Sequence, residues 1–457
     1  MLTMTRTPLA DTLRGVVVRP GDTSWNHARS SFNLLVDQQP AAVAFPVDER
    51  DVAEAVNDAR REGLRVAPQA TGHNQAALGD LEGTLLLNVS SLQEVRVDPA
   101  SRRVRVGAGV KWDRVAPRLS AYGLAGLHGS SPDVGIAGYS LGGGIGWLSR
   151  KHGMQTNAVT ALELVTAEGN LVRADAEQHA DLFWALRGGG GNFGVVTAIE
   201  FAVHPVDELY AGALFFPFER ASDVLHAWGE LLPGLPDELM SWASLIHFPP
   251  LPDVPAFARG RSFAVVMAAF LGSAAEGRSL LRPLRDLGPA RDTLASVPPV
   301  VLGDLAMDPL DPLPFRLGHQ LLDGLSPQTI DGLLAAAGPA SGRGETLTML
   351  QLRHMGGALA REPFGAGARA TLPGEVCMVM LGVVADERAD GEVRAAIADV
   401  EAAALPGRAG QYPNFVEERT DASTFFDPDT WARLRAVKAR YDAGDLFAGN
   451  HHIPPAA

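Results

Sequence analysis

Two glycine runs constrain this chain more than any other feature. Gly135-Ile-Ala-Gly-Tyr-Ser-Leu-Gly-Gly-Gly-Ile-Gly146 holds six glycines in twelve residues, and Arg187-Gly-Gly-Gly-Gly-Asn-Phe-Gly194 holds five in eight. Closely spaced glycines let backbone N–H groups converge with no Cβ in the way, which suits an anion or the edge of a flat ring. A smaller third site, Thr71-Gly72-His73-Asn74, follows a short β-rich run, Leu64–Pro68. Gly189-Gly-Gly-Asn-Phe-Gly194 matches G-x-G-x-x-G, but the dinucleotide fingerprint needs a strand before it and a helix after it. Here the order is reversed: Asp181–Leu186 reads as helix and Val195–Phe201 as strand. No G-x-x-x-x-G-K-[ST] is present either, so neither a Rossmann nor a P-loop site is expected.

The first 205 residues alternate short strands and helices. Thr84–Val89 and Arg103–Gly107 read as strands, Asp51–Gly63 and Lys111–Tyr122 as helices closed by glycine, and Leu162–Thr166 with Leu171–Ala174 as a hairpin. Past His204-Pro205 the composition changes. Residues 206–410 carry longer apolar strands, such as Ser262–Leu271 and Glu375–Val384, among amphipathic helices, such as Ser273–Leu287 and Glu387–Ala404. Residues 411–457 end in the helix Asp429–Tyr441 and the segment Phe447–Pro455.

With 39 Lys+Arg against 53 Asp+Glu in 457 residues, the net charge of −14 argues against nucleic acid or an anionic membrane as partner. The single cysteine, Cys377, rules out an internal disulfide and a Cys-rich metal site, and it fits a cytoplasmic protein. Met1–Ala10 has no apolar leader, and the longest apolar stretch, Val376–Ala385, is about half the length a spanning helix needs. No metal site is expected: His451-His452 is not spaced as a pair on one helix face.

Taken together, Thr71–Asn74, Gly135–Gly146, Asp181–Thr197 and the spaced residues Arg433, Lys438, Tyr441, Asp442, Phe447, Asn450 and Pro454 resemble the vanillyl-alcohol-oxidase-type flavoproteins, specifically the berberine bridge enzyme and 6-hydroxynicotine oxidase branch. That resemblance implies an α+β fold. It would consist of a two-part PCMH-type FAD-binding domain (1–205, completed by 411–457) and an inserted substrate domain (206–410) of antiparallel sheet covered by helices. It also implies an FAD-dependent oxidase that takes hydride from an alcohol or amine carbon, gives hydrogen peroxide from dioxygen, and works as a monomer or homodimer; a dehydrogenase passing electrons to another acceptor and a non-catalytic flavin- or ligand-binding relative are the alternatives. Sugars, alkaloids and other secondary metabolites are the substrates such a family offers.

The site residues follow from the same resemblance. Gln69, Ala70, Thr71, Gly72, His73 and Asn74 would hold the pyrophosphate, with His73 joined to the flavin 8α-carbon. Ser131, Pro132, Gly135, Gly138, Tyr139, Gly142, Gly146, Val196 and Asn450 would complete the cofactor site. The family's usual Arg-Ser/Gly-Gly-Gly-His loop is here Gln69-Ala-Thr-Gly-His73, and Ser131 stands where some relatives carry a second, cysteinyl link. Tyr412, in Gln411-Tyr-Pro-Asn-Phe415, is the expected catalytic base. A phenol of ordinary pKa near 10 needs a cation or hydrogen bonds to serve at neutral pH. Glu417 and Glu418 offer carboxylates nearby, and His247, His319 and His354 lie on or near strands of the substrate region.

Overall fold

Helix Glu49–Glu62 shows how the sequence sets the first layer. Val52, Ala55, Val56 and Ala59 form its buried stripe, and Gly63 closes it with φ +72°. Its N-cap is Asp48, whose carboxylate accepts from the amides of Arg50 and Asp51, so the helix begins ahead of the expected Asp51. Asp51 is instead buried and accepts the Gly15 and Val47 amides at 2.9 and 3.1 Å, which ties the preceding chain to the helix. The computed structural model describes residues 13–252, 254–343 and 345–457; Met1–Ala10 lies outside them.

Two main sheets and the short pair Leu124–Ala125 with His204–Pro205 build the glycine-bearing half. In the four-stranded sheet, Ala42–Phe45 and Arg65–Gln69 flank Thr84–Asn88 in parallel, and Val16–Val18 pairs antiparallel at the edge. The five-stranded sheet is antiparallel, ordered Val95–Asp98, Arg103–Gly107, Val195–Ala202, Val159–Val165, Leu171–Asp175, and its last two strands form the expected hairpin. Helix Ala180–Gly189 precedes strand Val195–Ala202, so the G-x-G-x-x-G there has the reversed order read from the sequence. One expected helix shrinks. Lys111–Tyr122 supplies only a turn, Trp112–Arg114, and the short helix Ala116–Ser120, because Pro117 offers no N–H and suits only a helix start.

The second half is a nine-stranded antiparallel sheet. Its main strands run in the order Tyr210–Pro217, Ser262–Phe270, Leu239–His247, Met349–His354, Val376–Val383, Phe315–Leu322, Arg408–Gly410. Helices Ala221–Leu231, Pro327–Ala337 and Glu387–Ala404 cover one face, with Trp228, Leu333 and Val400 in the shared core. The expected helix Ser273–Leu287 is two, Ala274–Leu280 and Arg282–Arg285, divided at Leu281 where Pro283 starts the second. The opposite face buries Trp242, Val379 and Cys377 against Trp147 and Tyr412.

The last segment returns to the first sheet. The Val66 amide donates to Leu446 O and the Ala448 amide to Val66 O, each at 2.8 Å. Lys438, on helix Pro428–Tyr441, is fully buried and bonds Asp442 at 2.5 Å, Asn192 O at 2.7 Å and Phe447 O at 3.2 Å. One ammonium thus joins the C-terminal helix, the tail and the second glycine run. Among the described residues no helix is long and apolar enough to cross a membrane.

Candidate active site

Between the glycine-bearing half and the bare face of the large sheet lies a cleft with a volume of ≈ 360 Å³. Loop 69–74, the two glycine runs, the strands Phe315–Leu322, Met349–His354 and Val376–Val383, and the segment 412–417 all reach it. Of the residues expected to bind the cofactor, Gln69, Ala70, Thr71, Gly72, His73, Asn74, Ser131, Gly135, Gly138, Tyr139, Gly142, Val196 and Asn450 line this one space, as does Tyr412. Pro132 and Gly146 do not. A Cβ on Gly146 would strike the carbonyl of His128, so that glycine is required by chain packing.

The glycines divide by what their missing Cβ would meet. At Gly138 nothing lies within 4 Å, at Gly190 nothing closer than 3.7 Å and at Gly191 nothing closer than 3.5 Å, and all three border the cleft. Side chains there would fill the cleft rather than collide with the fold, as a cradle for a bulky planar or diphosphate-bearing group requires. Gly142 and Gly144 differ, since Asn414, Tyr139 and Gln155 occupy the space a Cβ would take. Two buried polar atoms on the cleft wall, Asn74 Oδ1 and His451 Nδ1, have no protein partner. Open glycines and unpaired polar atoms along one elongated cleft fit FAD, which carries both a diphosphate and a wide ring.

His73 stands at one side of this space. Its ring stacks on Phe32 with centroids 4.0 Å apart and 16° between planes. Nδ1 lies 2.9 Å from Thr71 Oγ1, and Nε2 lies 3.2 Å from Asp133 Oδ2. Burial pulls the Asp133 carboxyl upward, but hydrogen bonds from His73 and Ser131 and the charges of His73 and Lys111 outweigh it and hold it below the usual carboxylate range. In the neutral tautomer with its proton on Nε2, facing Asp133, the Nδ1 lone pair is left to accept from Thr71 or to act as a nucleophile. Thr71, the departure from the family loop, thus contacts the histidine directly. Asp133 and Phe32 gave no signal in the sequence, because their roles depend on contacts between separate loops.

Tyr412 is buried where the halves meet. Its phenol oxygen accepts from the Gly144 amide at 2.6 Å and from Asn414 Nδ2 at 2.9 Å, and Asn414 also donates to Tyr139 O at 3.0 Å. Its own amide donates to His319 Nε2 at 2.9 Å. Burial pushes the phenol above its usual value, more than the Gly144 amide, the Arg369 charge and Asn414 pull it back. Arg369, also buried, is the nearby cation whose charge pulls the phenol down without offsetting burial. Tyr139 donates its hydroxyl to Leu127 O at 2.7 Å, and the Asn450 side chain donates to Asn74 O.

Glu417 lines the cleft, half-buried, and accepts from Asn33 Nδ2 at 3.0 Å; burial pushes it up to about 7. Glu418 is exposed. None of the three histidines faces the cleft: His319 supports Tyr412, His354 contacts Arg150, and His247 bonds Ser262 at the far end of its strand. Cys377 is buried with its thiol pushed up to about 12, an unreactive state.

Residues 40–175 match the FAD binding domain family. The chain is 26% identical to an FAD-linked oxidoreductase of Dictyostelium discoideum over 97% of its own length and 96% of the relative's. It is 32% identical to the xylooligosaccharide oxidase of Thermothelomyces thermophilus over 49% of this chain and 47% of that one. In fold it matches 6-hydroxy-D-nicotine oxidase from Arthrobacter nicotinovorans with a TM-score of 0.82 at 22% identity, covering 100% of both chains. It matches berberine bridge enzyme from Eschscholzia californica with a TM-score of 0.81 at 17% identity, covering 97% of each. The chain is therefore an FAD-linked oxidoreductase with a PCMH-type FAD-binding domain. Its fold is similar to those of 6-hydroxy-D-nicotine oxidase, a berberine bridge enzyme-like protein of Physcomitrella patens and berberine bridge enzyme.

Proposed function

We propose that the chain is an oxidase for a C–H bond beside a hydroxyl or amine of a small molecule, with FAD held along the cleft and joined covalently to His73. Residues 1–205 and 411–457 would form the flavin unit and 206–410 the substrate unit. Bound FAD would supply the redox chemistry, accepting hydride at N5 and passing the electrons to dioxygen to give hydrogen peroxide. Loop Gln69–Asn74 would hold the diphosphate. The open backbone at Gly138, Gly190 and Gly191 would admit the ring and its chain.

The observation that carries this reading is the setting of Tyr412. Its oxygen borders the cleft between the glycine cradle and the sheet wall, fixed by two donors. Both donors partly offset the cost that burial puts on negative charge at that oxygen, and the deprotonated Tyr412, favoured at alkaline pH, would take the proton of a substrate hydroxyl or amine as hydride leaves the adjacent carbon. Asn414 orients the phenol and the Tyr139 backbone together, and burial keeps bulk water from competing for the proton.

The relatives named for xylooligosaccharide and for 6-hydroxynicotine place sugars and amines among the chemistries to test. The acidic charge balance argues against a nucleic-acid or anionic-membrane partner and the single cysteine fits a cytoplasmic protein, while a monomer or homodimer rests on the family resemblance. The test is anaerobic mixing of the purified yellow protein with a panel of oligosaccharides, amines and hydroxylated aromatic compounds, followed by admission of air. Bleaching of the flavin band, with equimolar peroxide on reoxidation, is expected. Bleaching that reverses only with a quinone acceptor would make the enzyme a dehydrogenase. No bleaching by any compound would remove the catalytic reading.

A further inference from the structure

The sheet side of the cleft contains a cation that the proposed hydride transfer does not use. Arg353, on strand Met349–His354, is only 4% exposed, yet it lines the cleft. Its Nε donates to Gln351 Oε1 at 2.6 Å. The guanidinium lies 4.0 Å from the centroid of Trp242, which stacks on Trp147 at 3.6 Å, and 5.0 Å from the centroid of Phe415. Two aromatic rings and one amide therefore fix its plane. Among the described residues no carboxylate lies within 4.0 Å of it, and its two Nη atoms make no protein hydrogen bond. Asp308, also on the cleft wall, acts on it only from longer range.

A buried, oriented cation without a counter-ion is costly to hold unless a ligand completes it. The neighbouring wall indicates what kind of ligand that is. Leu317, Met349, Val379 and Leu381, on the same strands of the sheet wall, add aliphatic surface to the cleft that Arg353 lines. An oligosaccharide carries hydroxyls around its whole periphery and would leave many of them unpaired against such a wall. A largely apolar molecule bearing one planar oxyanion would leave none, and the guanidinium fork matches that anion in shape.

Resting on the oxidoreductase reading above, we infer that Arg353 is the substrate-recognition residue for a delocalised oxyanion, a carboxylate or an acidic enol, on an otherwise apolar substrate. The guanidinium grips the anion, and the aliphatic wall takes the skeleton. Specificity then lies in a residue separate from Tyr412.

The test uses the full-length flavoprotein and three probes of similar size: benzoate, the enol-forming 1,3-cyclohexanedione and neutral benzamide. Binding is read from the flavin absorbance perturbation and, independently of flavin, from thermal shift. Benzoate or the dione should bind at least tenfold more tightly than benzamide, and whichever of the two binds identifies the anion. Arg353→Met should abolish that preference without changing benzamide binding, whereas Arg353→Lys should keep part of it. Equal affinity for charged and neutral probes in the unmodified protein, or a preference that survives Arg353→Met, would overturn the inference and leave Asp308 as the partner of Arg353. The wild-type comparison stands even if Arg353→Met folds poorly. A protein without flavin would defeat the oxidoreductase reading, while the thermal shift would still decide the anion preference.

Discussion

The Gly144 amide donates to the phenol oxygen of Tyr412 at 2.6 Å, across 268 positions of sequence. This bond joins the glycine cradle to the segment that closes the large sheet, and it places the expected base at the junction of the two halves. Removing that oxygen should therefore affect catalysis more than folding. Tyr412→Phe is expected to lower the rate of flavin reduction by about 10²- to 10⁴-fold, the range of a general base, with flavin content unchanged. Because burial raises the Tyr412 pKa above its ordinary value and the base form is the deprotonated one, reduction by the wild type should keep rising through pH 9–10. The slope should be lost in Tyr412→Phe. Stopped-flow reduction across pH measures both.

Glu417 gives a pH effect of stability with a defined sign. Its folded pKa of about 7 lies above the ordinary 4.5, so the native state holds a proton that the unfolded chain releases. That contribution is complete below about pH 4.5 and is lost as pH rises through about 7. With partial solvent access the loss is roughly 2 kcal/mol. Urea titrations at pH 5 and pH 8 should show it in the wild type, and Glu417→Gln should flatten it.

Gly138 separates cofactor room from fold stability. The absent Cβ meets nothing within 4 Å, and the residue sits inside helix Ile136–Gly142. Gly138→Leu should leave the apo-protein as stable or about 0.5–1 kcal/mol more stable through helix propensity, yet reduce flavin occupancy several-fold. Gly142→Leu should lower stability itself, because Asn414 fills that space. Thermal melts with flavin-to-protein absorbance ratios distinguish the two.

How far the sequence could be read follows the same distinction between local and distant causes. Glycine runs, the 69–74 loop and the Tyr412 segment are contiguous patterns, so they were legible, as were the hairpin at 159–175 and the long helix at 387–404. The sequence could not show which glycines cradle a ligand and which only pack, because Gly146 and Gly138 differ solely in what other segments bring against them. The helix expected over Lys111–Tyr122 failed at Pro117, where backbone chemistry outweighs the apolar pattern. Asp133, Arg353 and Arg369 stayed hidden because single charged residues gain meaning only once burial strips them of water.

Lys438 tests the tie between the C-terminal return and the glycine run. Lys438→Met leaves Asp442 buried, although the Leu446 and Phe447 amides still donate to it at 2.7 and 2.9 Å. Removing one partner of a buried pair is expected to cost about 3–5 kcal/mol, visible as a lower urea midpoint. Unchanged stability would mean that the tail is held by its other bonds, among them those to Val66, Arg65 and Asn192.

The proposed oxidation requires FAD in this cleft beside His73. The direct measurement is the absorbance and fluorescence of purified wild type and His73→Ala before and after denaturation in acid or SDS. A flavin spectrum that stays with the denatured wild-type chain and leaves the variant is the predicted result. A wild-type protein that shows no flavin spectrum, even after incubation with FAD, would contradict it.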